Sequence, residues 1–428
     1  MLGETASVRL LPNRVDFAQM REKPLADLVA GLTVAIVALP LALAFGIGSG
    51  LGAGAGITSA IFAGALAAIF GGSRVQVSGP TGAMTVILIP IFHSAGASGV
   101  LLVGLMAGLL LVLFAWLKLG DHIHRLPTAL IEGFTAGIAV VIALQQLPFI
   151  LGLPATHDDR IWQQALNLLN QAGAAPNWTP IATALAVAAS ILLIGKFLPR
   201  LPFALLAVII ATVLADSLQL KLDRIGTLPA SVGEFQIDFL YGPWLTLIPS
   251  AIAVALLAAL ESLLSAKIAD KMTGQHHDSN REIFGQGIAN LVTPFFGGVP
   301  ATAALARTAV NVRSHAHSRL ASLIHAATLA IAVLLIAGLV ERIPLAALAG
   351  VLIATTARMI NPEELKKLAA ESKNDAAVLW VTFFMTVATD LITAVIVGLL
   401  LSLLLRKTRF ANLDRRYPPV DKKETLGD

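Results

Sequence analysis

FGGSRVQVSGPTGAM, residues Phe70–Met84, is a stretch rich in glycine, proline and polar residues, set between the apolar runs ITSAIFAGALAAI and TVILIPIF. At membrane depth, irregular backbone survives only where protein or a water-filled cavity surrounds it. The rest of the chain shows that membrane depth is the right frame. Of 428 residues, 56% are hydrophobic and 13% charged, and mean hydropathy is +0.80. A soluble domain carries about 25% charged residues. The apolar runs are built from Ala, Leu, Ile and Val over about 15–25 residues, the helix length that crosses a core of roughly 30 Å. A membrane barrel would alternate in short strands. There is no cysteine, which excludes disulfides, thiolate metal sites and thiol nucleophiles. No signal-peptide pattern precedes the first apolar run near Ala26. The net charge of +4 is not a nucleic-acid signal, and no nucleic-acid partner is expected.

Fourteen apolar segments can be read, at 26–46, 56–70, 80–94, 97–117, 127–150, 178–195, 202–216, 245–266, 283–295, 302–313, 318–340, 344–358, 375–390 and 391–405. Basic residues of cytoplasmic loops set orientation. With the N-terminus in the cytoplasm, about 25 of the 30 Lys and Arg residues fall on that side. Arg160, Lys221, Arg224 and Arg342 fall on the other, and Arg307 lies inside a span. The pattern predicts an all-α, multi-pass membrane protein, in contact with lipid and with both termini cytoplasmic.

The opening stretch has a counterpart. FGGSRVQVSGPTGA at Phe70–Ala83 matches FGGVPATAALARTA at Phe296–Ala309, and LPTALIEGFTAGIAVVI from Leu126 matches IPLAALAGVLIATTARM from Ile343. The offsets are 226 and 217 residues. Residues 1–25 form a cytoplasmic N-terminus, 26–217 the first copy, 218–243 an extracytoplasmic linker, 244–406 the second copy and 407–428 a tail. Seven spans per copy is odd, so the copies insert with opposite orientation, as in many secondary transporters. In the first copy Arg74–Val77 reads as an extended piece, with Ser78–Gly79 capping a helix that has Pro80 at its first position. In the second, Val299–Thr302 reads as extended, with a helix from about Ala303. Spans 3 and 10 would then be short half-helices whose N-termini meet near the midplane. Each end carries about +0.5 charge and unpaired N–H groups, and together they suit an anion. The competing reading is two glycine-rich loops at the membrane surface.

The run from Glu261 to Ala326, ESLLSAKIADKMTGQHHDSNREIFGQGIANLVTPFFGGVPATAALARTAVNVRSHAHSRLASLIHA, resembles the SulP (sulfate permease) family of anion transporters. So do DLVAGLTVAIVALPLALAFGIGSG at Asp27–Gly50 and GGSRVQVSGPTGA at Gly71–Ala83. The resemblance implies a fourteen-span, seven-plus-seven inverted repeat, with a core domain (spans 1–4 and 8–11) moving against a gate domain (spans 5–7 and 12–14). Members carry sulfate, bicarbonate, chloride or dicarboxylates as cation symporters, exchangers or channels, and dimerisation is common among them. Most also carry a cytoplasmic STAS domain. The tail of about 22 residues is shorter than the ~50 of a domain, so none is expected here. Sulfate-type members often have Gln after the proline of span one. Pro40 is followed by Leu41, which resembles bicarbonate-type bacterial members instead.

The resemblance places Leu41, Phe45, Thr81, Gly82, Ala83, Ala303, Ala304 and Leu305 around the substrate. It places Glu261 and Ser265 at a cation-coupling site. Ionised carboxylates deep in a span are costly and usually functional, and Ser265 lies one turn beyond Glu261 on the same helix face. A bare carboxylate beside an anion would repel it, so H⁺ or Na⁺ must neutralise the carboxylate, which ties cation to anion. Arg307 either adds positive potential near the anion or pairs with Glu261. Glu132 reads as structural and Asp390 as solvated. HHDS at His276–Ser279 lacks metal-ligand spacing, and Ser279-x-x-Glu282 fits a capping box. No phosphate loop or nucleophile set is present, so no enzyme activity, cofactor or metal beyond a coupling Na⁺ is expected. The expected function is H⁺- or Na⁺-coupled symport of bicarbonate, a small dicarboxylate or sulfate. An uncoupled anion channel or an exchanger is the alternative. A nucleobase permease would need hydrogen-bonding side chains where Ala303, Ala304 and Leu305 stand.

Overall fold

The computed structural model describes residues 10–123, 127–154, 160–174, 176–197, 203–227, 232–389 and 391–413. Asp390 lies outside them. The chain is helical nearly throughout. Helices α1 (Arg14–Ala18), α2 (Pro24–Gly48) and α3 (Ala53–Phe70) lead to strand β1 (Ser78–Gly79) and helix α4 (Gly82–Trp116). Then come α5 (Gly120–Ile123), α6 (Thr128–Gln145), α7 (Leu147–Leu151), α8 (Ile161–Ala174), α9 (Trp178–Phe197) and α10 (Phe203–Ser217). The second half runs α11 (Trp244–Thr273), α12 (Ser279–Val292), β2 (Thr302–Ala303), α13 (Leu305–Arg313), α14 (Arg319–Val340) and α15 (Leu345–Met359). It ends with α16 (Pro362–Glu371), α17 (Lys373–Ala388) and α18 (Leu391–Leu413).

Each of the fourteen apolar runs overlaps a helix within the described residues, although 302–313 opens with two strand residues. Among the described residues, seven helices are long and apolar enough to cross a membrane, and three shorter apolar helices accompany them. The runs 80–94 and 97–117 are both in α4, which breaks at Gly96 (φ 66°, ψ −168°). Besides the short α1 and α5, two helices lie outside the apolar runs because they are amphipathic. In α8 only Ala165, Leu168 and Ala172 are buried, at helical spacing. In α16, Asn361 caps the N-terminus, Pro362 takes the first position and Leu368 alone is buried.

Backbone packing separates two units. The first comprises residues 1–125 and 138–359 and contains both strands. The second comprises residues 126–137 and 360–428, where Ala129 and Leu130 pack with Leu368, Val378 and Leu379.

Small residues bring the helices of the first unit together, as lipid offers little hydrophobic drive for helix association. A Cβ on Gly56 of α3 would overlap the Ala42 carbonyl oxygen of α2. Backbone cannot rotate away as a side chain can, so the Gly56→Ala variant is expected to lose about 1–3 kcal/mol, read as a lower midpoint of thermal unfolding in detergent.

Charged residues near the N-terminal ends of α2, α12 and α14 are engaged rather than free. Asp27 accepts from His317 N (2.7 Å), Ser318 N (3.0 Å) and the Ser318 hydroxyl, so the turn from His315 to Arg319 is docked. Arg319 is buried and donates to Ala68 O (2.8 Å). The expected capping box is corrected: Asp278, not Ser279, caps α12 by accepting from Arg281 N (3.0 Å). Glu282 is drawn away to Gly72 N (2.9 Å) and Ser73 N (3.0 Å), where it serves the loop that follows α3.

Arg281 Nη1 pairs with Asp16 of α1 at 2.7 Å. Burial alone would raise the Asp16 carboxyl. Hydrogen bonds from Arg281 and the Asn13 amide, with the Arg281 and Arg319 charges, outweigh it and hold the group below its ordinary value. A depressed carboxylate stabilises the fold fully above its unfolded value and loses that contribution as pH falls through the folded one. Thermal stability is therefore expected to drop below about pH 4, with a shallower drop in Asp16→Asn.

Candidate functional site

The two broken spans meet. β1 and β2 pair antiparallel, Ser78 opposite Ala303 and Gly79 opposite Thr302. α4 and α13 start three and two residues beyond these strands. The extended segments differ by a few residues from the expected ones. Ser78–Gly79 are strand rather than cap, Pro80 precedes the helix, and Thr81 caps it, its hydroxyl accepting from Met84 N at 3.4 Å. Proline disfavours helix at the residue before it, which keeps Gly79 extended and leaves the cap to the next hydroxyl. In the second copy the strand is Thr302–Ala303 and the helix begins at Leu305. Ala304 is its N-cap and has no side chain to offer.

Irregular backbone here is satisfied by protein, as burial demands. Val75 O accepts from Asn311 Nδ2 (2.7 Å) and Gln76 O from Ser322 Oγ (2.7 Å). Val77 N donates to Thr308 Oγ1 (3.1 Å), and Val77 O accepts from Ala304 N (3.0 Å). Asn290 closes on Ala301 with both amide atoms at 2.8 Å. Thr302 donates to Ala258 O, so the Ser262 hydroxyl donates to Thr302 Oγ1 (2.8 Å) and accepts from Ala303 N (3.2 Å). These bonds seat β2 on α11 and tie the segment before β1 to α13 and α14, which excludes the surface-loop reading.

Glu261, on α11, accepts from the Thr81 hydroxyl at 3.0 Å. A carboxylate on a membrane helix thus touches the residue that caps a half-helix. Arg307 is 2% exposed, and its Nη2 donates to Pro80 O at 2.8 Å. Arg307 and Glu261 are not in ion-pair contact. The guanidinium crosses from α13 to the backbone that leads into α4. Ser265 is fully buried and donates to Thr308 Oγ1 (3.1 Å), so its hydroxyl reaches α13 and not Glu261.

Leu41 and Phe45 are each 7% exposed on α2. A Cβ on Gly82 would come within 3.1 Å of Phe45 Cε1 and would overlap Ile142 Cδ1. Ala83 and Ala303 are buried, Ala304 is half-buried and Leu305 is exposed. The structure therefore brings Phe45, Gly82, Thr81 and Glu261 to one place beside the strand pair, and Ala303, Ala304 and Arg307 to its other arm. Sequence reasoning passed over Gln76, Ser262, Thr308 and Ile142. A signal existed for Thr308, a hydroxyl next to Arg307 in a short span. Ile142 is one apolar residue among many and carried none.

Residues 25–382 match the model of the Sulfate permease family. Over 410 residues the chain is 37% identical to YvdB of Bacillus subtilis, covering 93% of this chain and 77% of that protein. It is 33% identical over 435 residues to the bicarbonate transporter BicA of Picosynechococcus sp., covering 98% and 75%. The solved transmembrane domain of a cyanobacterium bicarbonate transporter BicA superposes with a TM-score of 0.78 at 29% identity, covering 89% of this chain and 98% of that one. SLC26A9 superposes with a TM-score of 0.83 at 18% identity, covering 91% and 66%, a likeness of fold.

Proposed function

The chain belongs to the sulfate permease family, and from that premise we propose that it is a cation-coupled symporter of a small anion. Bicarbonate is the first candidate, before a small dicarboxylate or sulfate. The protein is a multi-pass membrane transporter; its place in this reading is the bacterial inner membrane, with cytoplasmic termini and two seven-span inverted repeats. The anion is held between the starts of α4 and α13 by backbone N–H groups, with Arg307 supplying positive charge and Leu41, Phe45, Gly82, Ala83, Ala303, Ala304 and Leu305 forming the walls.

One observation carries the coupling. The Glu261 carboxylate is hydrogen-bonded to Thr81, the residue that caps the first half-helix. A negative charge there opposes the positive end of the helix and repels an anion. H⁺ or Na⁺ at Glu261 removes that repulsion, so cation and anion bind together. Ser265 supports this from behind by fixing Thr308. Transport then follows from a shift of the core past the gate with both solutes bound. Favouring bicarbonate is the lack of polar side chains at Ala303, Ala304 and Leu305, which suits a small anion read by backbone, and the likeness to BicA. Uptake of labelled bicarbonate, sulfate and fumarate into proteoliposomes, with imposed Na⁺ or pH gradients, tests the reading. Uphill accumulation driven by one gradient supports it; identical flux with and without either gradient refutes it.

A further inference from the structure

The Arg307 guanidinium is tied at one nitrogen only. Nη2 holds Pro80 O, whereas Nη1 is buried without a hydrogen-bond partner. His325 on α14 is 0% exposed, and neither of its ring nitrogens has a partner. Both groups flank the same peptide. A Cβ on Gly79 would lie 2.6 Å from Arg307 Nη1 and 3.2 Å from Ala60 Cα. A Cβ on Gly64 would lie 3.3 Å from Ser78 O and 3.7 Å from His325 Nδ1. Ala60 and Gly64 are one turn apart on α3, so both unpaired groups lie beside the Ser78–Gly79 peptide.

Buried donors and acceptors rarely stay unpaired, and an internal water with two to four polar partners is the usual remedy. The partners match in kind. Arg307 Nη1 only donates, the Ser78 carbonyl only accepts, and a neutral imidazole keeps one acceptor nitrogen. A residue that merely fills space would be leucine or phenylalanine, since an unpaired buried imidazole is unfavourable.

We propose that one buried water accepts from Arg307 Nη1 and donates to the His325 imidazole and to Ser78 O. Through it, His325 is a positioning residue for the guanidinium at the entrance to α4. The inference rests on reading Arg307 as part of the anion site. It adds α14 to that site, so the start of the first half-helix, α13 and α14 hold the guanidinium together.

The test compares wild type with His325→Leu, His325→Gln and Gly64→Ala in bicarbonate uptake and in thermal-shift titration with bicarbonate. Leucine keeps volume only, glutamine keeps an acceptor, and alanine at 64 puts a methyl where the water sits. His325→Leu and Gly64→Ala are expected to raise KM roughly tenfold with maximal rate within about twofold, and His325→Gln to stay within about threefold of wild type. An unchanged KM in both His325→Leu and Gly64→Ala overturns the proposal, as does equal damage from His325→Gln and His325→Leu. If His325→Leu does not fold, Gly64→Ala against His325→Gln decides. An experimental map that resolves ordered water decides independently of the anion. Density between Arg307 Nη1 and His325 supports the link, even should wild type ignore bicarbonate and the anion-site reading fall. A dry gap or a direct contact there overturns it.

Discussion

Glu261→Gln is expected to abolish gradient-driven accumulation, by at least about tenfold, while anion exchange without a gradient persists. Glutamine keeps the shape and an oxygen that accepts from Thr81, so the cap of α4 should stay in place. It removes the charge that H⁺ or Na⁺ must neutralise. A permanently neutral side chain lets the anion bind without its cation, and the two fluxes separate. A tenfold change corresponds to about 1.4 kcal/mol of lost linkage, modest beside the roughly 2.5–3.5 kcal/mol of placing a charged residue at the centre of a membrane helix. Counterflow of labelled bicarbonate measures exchange, and uptake under Na⁺ or pH gradients measures coupling. Wild-type accumulation in Glu261→Gln would remove Glu261 from the mechanism. Loss of exchange together with accumulation would mark it as a support for α4 instead.

Gly79→Ala is expected to lower transport by about a hundredfold and to cost about 2–4 kcal/mol of stability. Gly79 sits at φ +155°, a region that L residues rarely adopt. Relaxing that angle would break the register with Thr302. The added Cβ would also press on Arg307 Nη1 at 2.6 Å and on the Ala60 backbone at 3.2 Å. Arg307 can give way, but only by releasing Pro80 O, so the charge leaves the site. The backbone of α3 cannot give way. The comparison variant is Gly226→Ala, also at positive φ (+80°) but with nothing within 4 Å of its Cβ. It carries the backbone penalty alone and should leave KM unchanged. Equal loss of transport in the two variants would show that strain, not the guanidinium, is what Gly79 protects.

The helices and the two broken spans were legible because they follow from local rules. Runs of Ala, Leu, Ile and Val leave water whatever their partners are, and Gly, Pro and hydroxyl residues interrupt them wherever they occur. Phe70–Met84 and its counterpart at Phe296–Ala309 could therefore be recognised as two arms of one feature, and Glu261 stood out as a carboxylate in apolar text. Placing the helix starts was less secure. Ser78–Gly79 could cap or pair, and the choice went to pairing only because Thr302–Ala303 lies opposite.

The sequence by itself determined a multi-pass helical membrane protein, the places where its helices break, and the family to which those breaks belong. Tertiary structure alone decided that Thr81 reaches Glu261 across 180 residues of chain, that Arg307 turns to Pro80 rather than to Glu261, and that one carboxylate oxygen of Glu282 goes to Gly72 and Ser73 rather than to the cap of its own helix. The physical reason is the same in each case. Hydrophobic transfer acts on each segment separately, whereas a buried donor takes whichever acceptor the packing brings within about 3 Å, and nothing in the local sequence names that partner.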